Sequence, residues 1–182
     1  MLQVDVLDCA RGARTILQGI SFQLAAGEVL AVLGTNGAGK STLLASLTGE
    51  LAPRSGSILL AGRQLASWPA QERARRMAVL PQSSTLAFPF SVAEVVALGR
   101  LPHATGKRHD GMIAEQAMAA TDVTPLSERS YLTLSGGERQ RVHLARVLAQ
   151  IWDAGEQGCL LLDEPTASLD LAHQQLILQQ AR

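Results

Sequence analysis

The 182-residue sequence predicts an α/β fold, and three observations lead to that class. Two compact apolar runs, residues 29–33 and 159–162, are typical of strands that are buried on both faces. Two capping boxes, residues 91–94 and 135–138, predict helix starts. Apolar residues make up 47% of the chain and charged residues 18%, which is a globular composition. A single domain of ordinary size can accommodate these elements.

The first sixty residues are predicted to be mainly strands around one helix. Strands are expected over residues 2–7, 15–24, 29–33 and 57–60, and a helix is expected over residues 40–48, closed by Gly49. Glycines at positions 27, 56 and 62 mark the turns between these elements.

The middle of the chain is predicted to be helical. Helices are expected over residues 69–76, 91–98 and 112–121, with a strand over residues 77–80. Residues 99–110 form a predicted loop that carries basic residues and two histidines: Arg100, His103, Lys107, Arg108 and His109. The loop could be solvated or could hold a metal; because no spacing suggests chelation, we expect a solvated loop.

The last part of the chain returns to alternating elements. A helix is expected over residues 136–150, a polar loop over residues 153–158, a buried strand over residues 159–162 and a final helix over residues 171–180.

Composition excludes several classes of function. The formal net charge is zero and aromatic residues are 3% of the chain, which argues against a nucleic-acid partner. The two cysteines, Cys9 and Cys159, suggest neither a disulfide framework nor a zinc site. No signal peptide and no membrane-spanning run is apparent, so any membrane association is expected to come through a partner.

A phosphate-binding loop is the first chemical motif. Residues 34–41 read GTNGAGKS and match G-x-x-x-x-G-K-[ST] between a predicted strand and a predicted helix. Glycines let the backbone wrap a phosphate, and the loop N–H groups with the helix N-terminus bind anionic oxygens. The nucleotide-binding residues are therefore Gly34, Thr35, Asn36, Gly37, Ala38, Gly39, Lys40, Ser41 and Thr42. Lys40 is expected to reach the β and γ phosphates, and Ser41 to hold Mg²⁺.

Two adjacent acids form the second motif. The apolar strand 159–162 delivers Asp163 to a position near Mg²⁺, and Glu164 can polarise an attacking water as the catalytic residue. By themselves, adjacent acids at a strand end could be a solvated turn. Paired with a phosphate loop upstream, they indicate nucleotide hydrolysis.

The third motif, Leu134-Ser135-Gly136-Gly137-Glu138, resembles the signature of ABC ATPases. The resemblance covers essentially the whole chain. It implies a P-loop NTPase fold with a mostly parallel core sheet, an N-terminal antiparallel β subdomain and a helical subdomain inserted at about residues 84–150. Residues 1–182 would then form a single nucleotide-binding domain that uses ATP and Mg²⁺.

Further positions match the family one by one. Gln82 resembles the glutamine that contacts Mg²⁺ or the attacking water, and it joins the nucleotide and metal ligands. Ser168 and Asp170 resemble the loop that crosses to a partner subunit. The resemblance implies a head-to-tail dimer of two copies, in which residues 135–137 of one copy (Ser135, Gly136 and Gly137) close over ATP held by the other.

The sequence departs from the family in two places. In the alignment of the strand pattern, Cys9 occupies the place of the aromatic residue that stacks on adenine. The family also has a switch histidine about thirty residues beyond the catalytic glutamate, whereas this sequence ends at Arg182 and His173 lies too close to Glu164. We therefore expect a C-terminally truncated sequence that lacks part of the core and whose hydrolysis is impaired.

The type of ABC system is suggested by resemblance alone. Residues 84–103 look like the segment that follows the glutamine in importers of haem, iron-siderophores and cobalamin, and residues 86–90, 151–158 and 170–174 look most like the haemin importer ATPase. This implies that the chain binds an integral membrane permease and acts indirectly with a periplasmic haem-binding protein. It also implies a peripheral location on the cytoplasmic face of the inner membrane. The apolar residues 86–90 could pack within the helical subdomain, form a groove for the permease, or do both.

Other classes fit the sequence less well. ABC ATPases of DNA repair insert a coiled coil that the interval 82–134 lacks, and translation-associated members carry two domains in one chain. A phosphate-loop kinase or GTPase would lack the motif at residues 134–138.

Overall fold

The computed structural model describes residues 2–82 and 86–163. The chain divides into two compact units, Met1–Arg73 and Ala74–Arg182. Within the described ranges, no helix is long and apolar enough to cross a membrane.

The first unit is built on a four-stranded antiparallel sheet in the order β2-β1-β3-β4. The strands are β1 (Leu2–Arg11), β2 (Arg14–Leu24), β3 (Ser55–Leu60) and β4 (Arg63–Gln64). Helix α1 (Lys40–Leu47) lies between β2 and β3 in the chain, and a 3-10 turn (Leu65–Ser67) follows β4. Four residues of β1 are buried: Leu2, Val4, Leu7 and Cys9. The spacing of three between Val4 and Leu7 coincides with a register shift in the pairing with β2. The predicted strands 2–7, 15–24 and 57–60 and the helix 40–48 are present with small shifts of their ends.

A strand was predicted over residues 29–33, and this prediction is wrong. Within the described part of the chain, these residues belong to no β-ladder. Leu33 is 91% exposed and Val29 is 53% exposed. β-propensity favours an extended backbone, but a strand also needs a neighbour that accepts and donates its backbone hydrogen bonds. An apolar run cannot indicate where that neighbour lies.

The second unit combines a short parallel sheet with helices. Strands β5 (Met77–Leu80) and β6 (Cys159–Leu162) pair in register, so that Met77 lies opposite Cys159 and Leu80 opposite Leu162. The helices in this part of the chain are α2 (Ala70–Ala74, at the boundary of the units), α3 (Val92–Ala97), α4 (Lys107–Ala120) and α5 (Gly136–Ile151). Short 3-10 turns are Leu98–Arg100, Thr124–Leu126, Tyr131–Thr133 and Trp152–Gln157.

Helix α5 passes through the core of the second unit. Both predicted capping boxes are confirmed: Ser91 caps α3 with Glu94, and Ser135 caps α5 with Glu138. One stripe of α5 is buried, with Val142, Leu144, Ala145, Val147, Leu148 and Ala149 in the core. The end of α5 is tied to the start of β5, because Gln150 Nε2 donates to the carbonyl of Met77 at 3.1 Å.

The predicted solvated loop 99–110 is only partly correct: residues 104–108 are exposed, but the segment is neither entirely a loop nor entirely solvated. Residues Leu98–Arg100 form a 3-10 turn, α4 already begins at Lys107, and the side chain of Arg100 is only 4% exposed. The side chain of His103 is 5% exposed, and its Nε2 lies 2.7 Å from the carbonyl oxygen of Gln150. The partners of this basic segment lie far away in sequence, so local composition could not reveal its burial. The predicted polar loop 153–158 is likewise mostly a 3-10 turn, Trp152–Gln157.

Candidate functional site

The phosphate loop lies in the first unit, directly before α1. Gly37 and Gly39 have φ values of +84° and +101°, which side chains with a Cβ rarely adopt. A backbone hydrogen bond from Ala38 N to Thr35 O at 3.1 Å closes the turn between them. Helix α1 then begins at Lys40, and Leu43 N donates to Gly39 O at 2.9 Å. The backbone N–H groups of the loop and of the first helical turn are thus concentrated where an anion would bind.

Lys40 folds back onto the loop. Its Nζ donates to the carbonyls of Gly34 at 2.8 Å and Thr35 at 3.1 Å. The ammonium is therefore held beside the loop. Ser41 is exposed, so its hydroxyl is available to a ligand, whereas Thr42 is 5% exposed and packs inward.

Strand β2 packs closely against the phosphate loop at Gly39. A Cβ added at Gly39 would lie 2.8 Å from Leu17 Cδ2 and 3.0 Å from Ile16 Cγ2, so glycine is required by space as well as by φ. Sequence reasoning missed Ile16 and Leu17 as supporting residues, since nothing local links them to Gly39, which lies more than twenty positions later. The close approach fixes the loop on the antiparallel sheet.

Gln82 and Asp163 follow the carboxyl ends of the two parallel strands. Leu80 and Leu162 are register partners at the carboxyl ends of β5 and β6, and Asp163 N donates to Leu80 O at 2.9 Å. Gln82 follows β5 by two residues, and Asp163 follows β6 directly. The sequence-predicted amide and carboxylate therefore emerge side by side, as the ends of parallel strands require.

The signature residues start α5. Ser135 is the N-cap: its hydroxyl accepts from Glu138 N at 3.3 Å, and Glu138 Oε2 accepts from Ser135 N at 2.7 Å. The hydrogen bond from the Ser135 backbone, followed by that of its side chain, lowers the pKa of Glu138. Arg129, which sequence reasoning missed, lies 3.3 Å from the Glu138 carboxylate. Gly136 and Gly137 form the first turn of α5 without side chains that could obstruct a ligand.

The segment before the signature is held by aromatic and basic side chains. Tyr131 is 1% exposed, and its hydroxyl lies 2.8 Å from Nε2 of the buried His143. Arg139 stacks over the Tyr131 ring at 5.4 Å and donates to Leu132 O at 2.8 Å. These contacts fix where α5 begins.

Several predicted residues remain predictions. Glu164, Ser168 and Asp170 lie outside the described residues, as does the predicted helix 171–180. The phosphate loop belongs to the first unit, and Gln82, Asp163 and Ser135 belong to the second. Each set is therefore placed within its own unit.

The assignment of Cys9 to the adenine position is wrong on geometric grounds. Cys9 is 0% exposed, and its Sγ lies 3.0 Å from the hydroxyl of the buried Ser46 in α1. A side chain enclosed between β1 and α1 cannot cover a nucleotide base. The predicted strand 2–7 ended before Cys9, whereas β1 extends to Arg11 and Cys9 is buried on it.

The sequence matches the family model described as ABC transporter over residues 17–167. The hemin import ATP-binding protein of Pseudomonas entomophila (strain L48) is 59% identical over 182 residues, covering all of this chain and 71% of that protein. The hemin import ATP-binding protein of Gloeobacter violaceus is 56% identical over 186 residues, covering all of this chain and 68% of that protein.

Solved structures agree with the sequence comparison. The structure of cbiO1 from Clostridium perfringens, part of the ABC transporter complex cbiONQ, superposes with a TM-score of 0.83 at 29% identity, over 98% of this chain and 71% of that one. An inward-facing metal-chelate type ABC transporter gives a TM-score of 0.77 at 36% identity, over 98% of this chain and 65% of that one. The predicted fold class is thereby confirmed.

Proposed function

We propose that this chain, which belongs to the ABC transporter family, is the ATP-binding and ATP-hydrolysing subunit of an importer for haemin. The observation that carries the proposal is the phosphate loop, with its two positive-φ glycines and the Lys40 ammonium held beside them. The 59% identity to a hemin import ATP-binding protein over the whole chain supports the cargo.

ATP binding follows from the charges and donors of the loop. The backbone amides of residues 34–41 surround the phosphates, and Lys40 offsets charge on the β and γ phosphates. The Lys40 ammonium lies against two carbonyl oxygens, at 2.8 and 3.1 Å. A phosphate oxygen is a stronger acceptor for an ammonium than a carbonyl, so ATP draws the side chain to itself.

The donor set fits magnesium. Ser41, Gln82 and Asp163 offer a hydroxyl, an amide and a carboxylate oxygen, the kinds of ligand that Mg²⁺ binds. Gln82 and Asp163 already lie side by side at the ends of β5 and β6. When bound, the ion neutralises charge on the phosphate oxygens. We assign these three residues to hold it.

Hydrolysis needs a water aligned with the γ-phosphate. Glu164, next to Asp163, orients or deprotonates that water. Two copies of the chain associate head to tail, so that Ser135, Gly136 and Gly137 of one copy close over ATP bound to the other, with Ser168 and Asp170 at the crossing loop. Because the γ-phosphate contacts both copies, ATP favours the closed dimer and hydrolysis releases it.

Closure of the dimer moves a membrane permease on which the two copies sit at the cytoplasmic face of the inner membrane. A periplasmic haem-binding protein delivers the cargo from the other side. Iron-siderophore or cobalamin import is the alternative, because the cargo does not touch the nucleotide-binding subunit.

Binding and hydrolysis can be tested separately by two substitutions. Lys40→Ala should abolish ATP-dependent thermal stabilisation, while Lys107→Ala, at the only other lysine, should leave it unchanged. Glu164→Gln should retain ATP binding and trap the dimer on size-exclusion chromatography while ATP turnover stops. Full ATP affinity in Lys40→Ala, or normal turnover in Glu164→Gln, would refute the assigned role.

The cargo can be tested in proteoliposomes that contain the chain and its permease, with the binding protein added outside. ATP hydrolysis should rise with haemin and stay at its basal rate with cobalamin or a ferric siderophore. Stimulation by one of the latter compounds instead of haemin would replace the cargo assignment and leave the ATPase assignment intact.

A further inference from the structure

A buried tyrosine ties the segment before the signature residues to helix α5. Tyr131 opens the 3-10 turn Tyr131–Thr133 and is 1% exposed. Its hydroxyl lies 2.8 Å from Nε2 of His143, a buried residue of α5, and the two ring centroids are 5.3 Å apart. His143 lies about 10 Å along the helix from its first residue, Gly136. The hydrogen bond therefore fastens the segment well inside the helix.

Further contacts hold the same segment. The guanidinium of Arg139 lies over the Tyr131 ring at 5.4 Å, and its Nη2 donates to Leu132 O at 2.8 Å. The backbone N–H of Tyr131 donates to the carbonyl of Phe90 at 2.8 Å. Tyr131 is thus held through its backbone, its ring and its hydroxyl, and the last two of these contacts lead to α5.

The residues that these contacts support face outward. Ser135 and Gly136 are exposed, and a Cβ added at Gly136 would meet no atom within 4 Å. Leu134 is buried and anchors the turn on its inner side. Since the outer side of the turn has no such support, its geometry depends on Leu134 and on the segments that hold it at either end.

Stability alone does not explain a hydroxyl and an imidazole at these two positions. The net gain from a buried hydrogen bond is small, because the same groups bind water in the unfolded chain. Replacing both members of a buried polar pair by apolar groups of similar shape is often close to neutral. A hydrogen bond differs from an apolar contact in that it fixes a distance and a direction. The Tyr131–His143 pair is therefore suited to set the position of the turn.

We propose that Tyr131 and His143 are positioning residues for the signature: their hydrogen bond holds residues 134–137 in the arrangement that meets the γ-phosphate of ATP bound to a second copy. The inference rests on the proposed function, because it requires two copies that share each ATP. Both side chains are buried, so they act through the turn and not on the nucleotide. Their loss leaves nucleotide binding to the phosphate loop of the same copy intact and weakens closure over the nucleotide of the partner.

The first experiment compares nucleotide binding with dimer formation in the Glu164→Gln background. Tyr131→Phe removes the hydroxyl and keeps the ring with its packing. ADP lacks the γ-phosphate, so calorimetric titration with ADP reports on the phosphate loop alone, and we expect no change. The dissociation constant of the ATP-bound dimer, measured by analytical ultracentrifugation, should rise roughly 5- to 30-fold, because each dimer loses two such hydrogen bonds.

Thr133→Ala is the matched control. Its hydroxyl lies in the same 3-10 turn but donates to Ser130 O at 2.8 Å, within its own segment and not to α5. The substitution should change neither the ADP affinity nor the dimer dissociation constant.

Substitutions of His143 test whether the two side chains act as one unit. His143→Leu should resemble Tyr131→Phe, whereas His143→Gln should keep most of the dimer affinity, because its amide can still bond the phenol. The double variant Tyr131→Phe/His143→Leu should be no weaker than either single variant, since the bond is lost only once. Additive losses would show two separate packing effects and contradict the proposal.

Mixed dimers separate a role in the signature from a general loss of stability. Each ATP site joins the phosphate loop of one copy to the signature of the other. Lys40→Ala and Tyr131→Phe on different copies therefore leave one site with both halves intact, whereas the two substitutions on one copy leave none. With differently tagged copies, the first arrangement should yield more ATP-dependent mixed dimer. Equal yields would contradict the positioning role.

Two further results would overturn the positioning role while the proposed function stands. One is an unchanged dimer dissociation constant in both Tyr131→Phe and His143→Leu. The other is an equal loss of ADP affinity and dimer affinity together with a lower urea midpoint, which would assign the pair to folding of the chain. If the Glu164→Gln parent forms no dimer with ATP, the proposed dimer itself fails, and the positioning role fails with it.

Discussion

Arg100 donates from Nη2 to Oδ2 of Asp153 across 2.6 Å, although 53 positions separate the two residues. The same guanidinium donates to Asp110 at 2.9 Å and to the carbonyl of Ala149 at 2.8 Å. Its side chain is 4% exposed, so a full positive charge is buried and satisfied by groups from three segments. This arrangement joins the end of α5 to the start of α4.

Asp153→Asn should therefore destabilise the chain. The substitution leaves the buried Arg100 with one carboxylate fewer, and we expect the free energy of unfolding to fall by about 1–2 kcal/mol, given the partial exposure of Asp153. Urea unfolding would measure the change. Glu156→Gln, in the same 3-10 turn, is the control and should leave stability unchanged. An equal effect of the two substitutions would show that the Arg100 contact contributes nothing specific.

Acid should destabilise the second unit through the same carboxylates. The hydrogen bond from Thr105 is the main cause that lowers the pKa of Asp110. Burial raises the pKa of Asp153, but the interactions with Arg100 and His109 outweigh it, so that this pKa is lowered as well. A carboxyl group whose pKa is lower in the folded state stabilises the fold at pH values above its pKa in the unfolded state, which is 3.8 here. That stabilisation is lost as the pH falls through the pKa of the folded state.

The measurement is the thermal midpoint between pH 7 and pH 2. We expect a steady fall below about pH 5, and a smaller fall in an Asp110→Asn/Asp153→Asn variant, whose side chains no longer titrate. Parallel curves for the variant and the parent chain would place the acid sensitivity elsewhere.

Gly39→Ala should damage both stability and ATP binding. The added Cβ would lie 2.8 Å from Leu17 Cδ2, and φ of +101° is unfavourable for alanine. Gly37→Ala is the matched variant, since its φ is +84° and no atom lies within 4 Å of the added Cβ. Backbone strain costs about 1–3 kcal/mol at either position, and Gly39→Ala should cost more because β2 must also yield. Equal urea midpoints for the two variants would disprove the supporting contact with Leu17.

Substitution of the two phenylalanines in residues 86–90 should distinguish a role in folding from a role in partner binding. Phe90 packs against the core of the second unit, whereas Phe88 is 67% exposed. The two rings are arranged edge to face, with 6.2 Å between their centroids. Phe90→Ala should lower the free energy of unfolding by about 1–3 kcal/mol, less than for a fully buried ring. Phe88→Ala should leave stability unchanged and reduce co-purification with the permease. Unchanged co-purification would leave packing as the only role of this segment.

Local signals predicted several of the elements that carry the motifs. The capping boxes and the strands 77–80 and 159–162 depend on residues within a few positions of each other, and they form as expected. The helix predicted after the phosphate loop also forms, as α1. The strand at residues 29–33 did not form in the described part of the chain, since a ladder needs a partner that apolarity cannot specify.

Contacts between distant segments could not be predicted in the same way. The basic segment 99–110 was predicted to be solvated, and the burial of Arg100 was missed. The carboxylate and carbonyl partners of Arg100 come from α4, α5 and the turn after α5, which local composition does not reveal. Cys9 was assigned to the adenine position by aligning the strand pattern. Such a pattern separates the two faces of a strand but does not show which face points to the core.

Sequence motifs alone predict which residues carry the phosphate chemistry, because a glycine loop followed by a lysine and a helix acts through its own backbone amides. The three-dimensional structure shows in addition that Gly39 rests on Leu17, that Arg100 is buried, and that Cys9 is enclosed between β1 and α1. The reason is physical: motif chemistry depends on neighbours along the chain, whereas burial and charge pairing depend on neighbours in space.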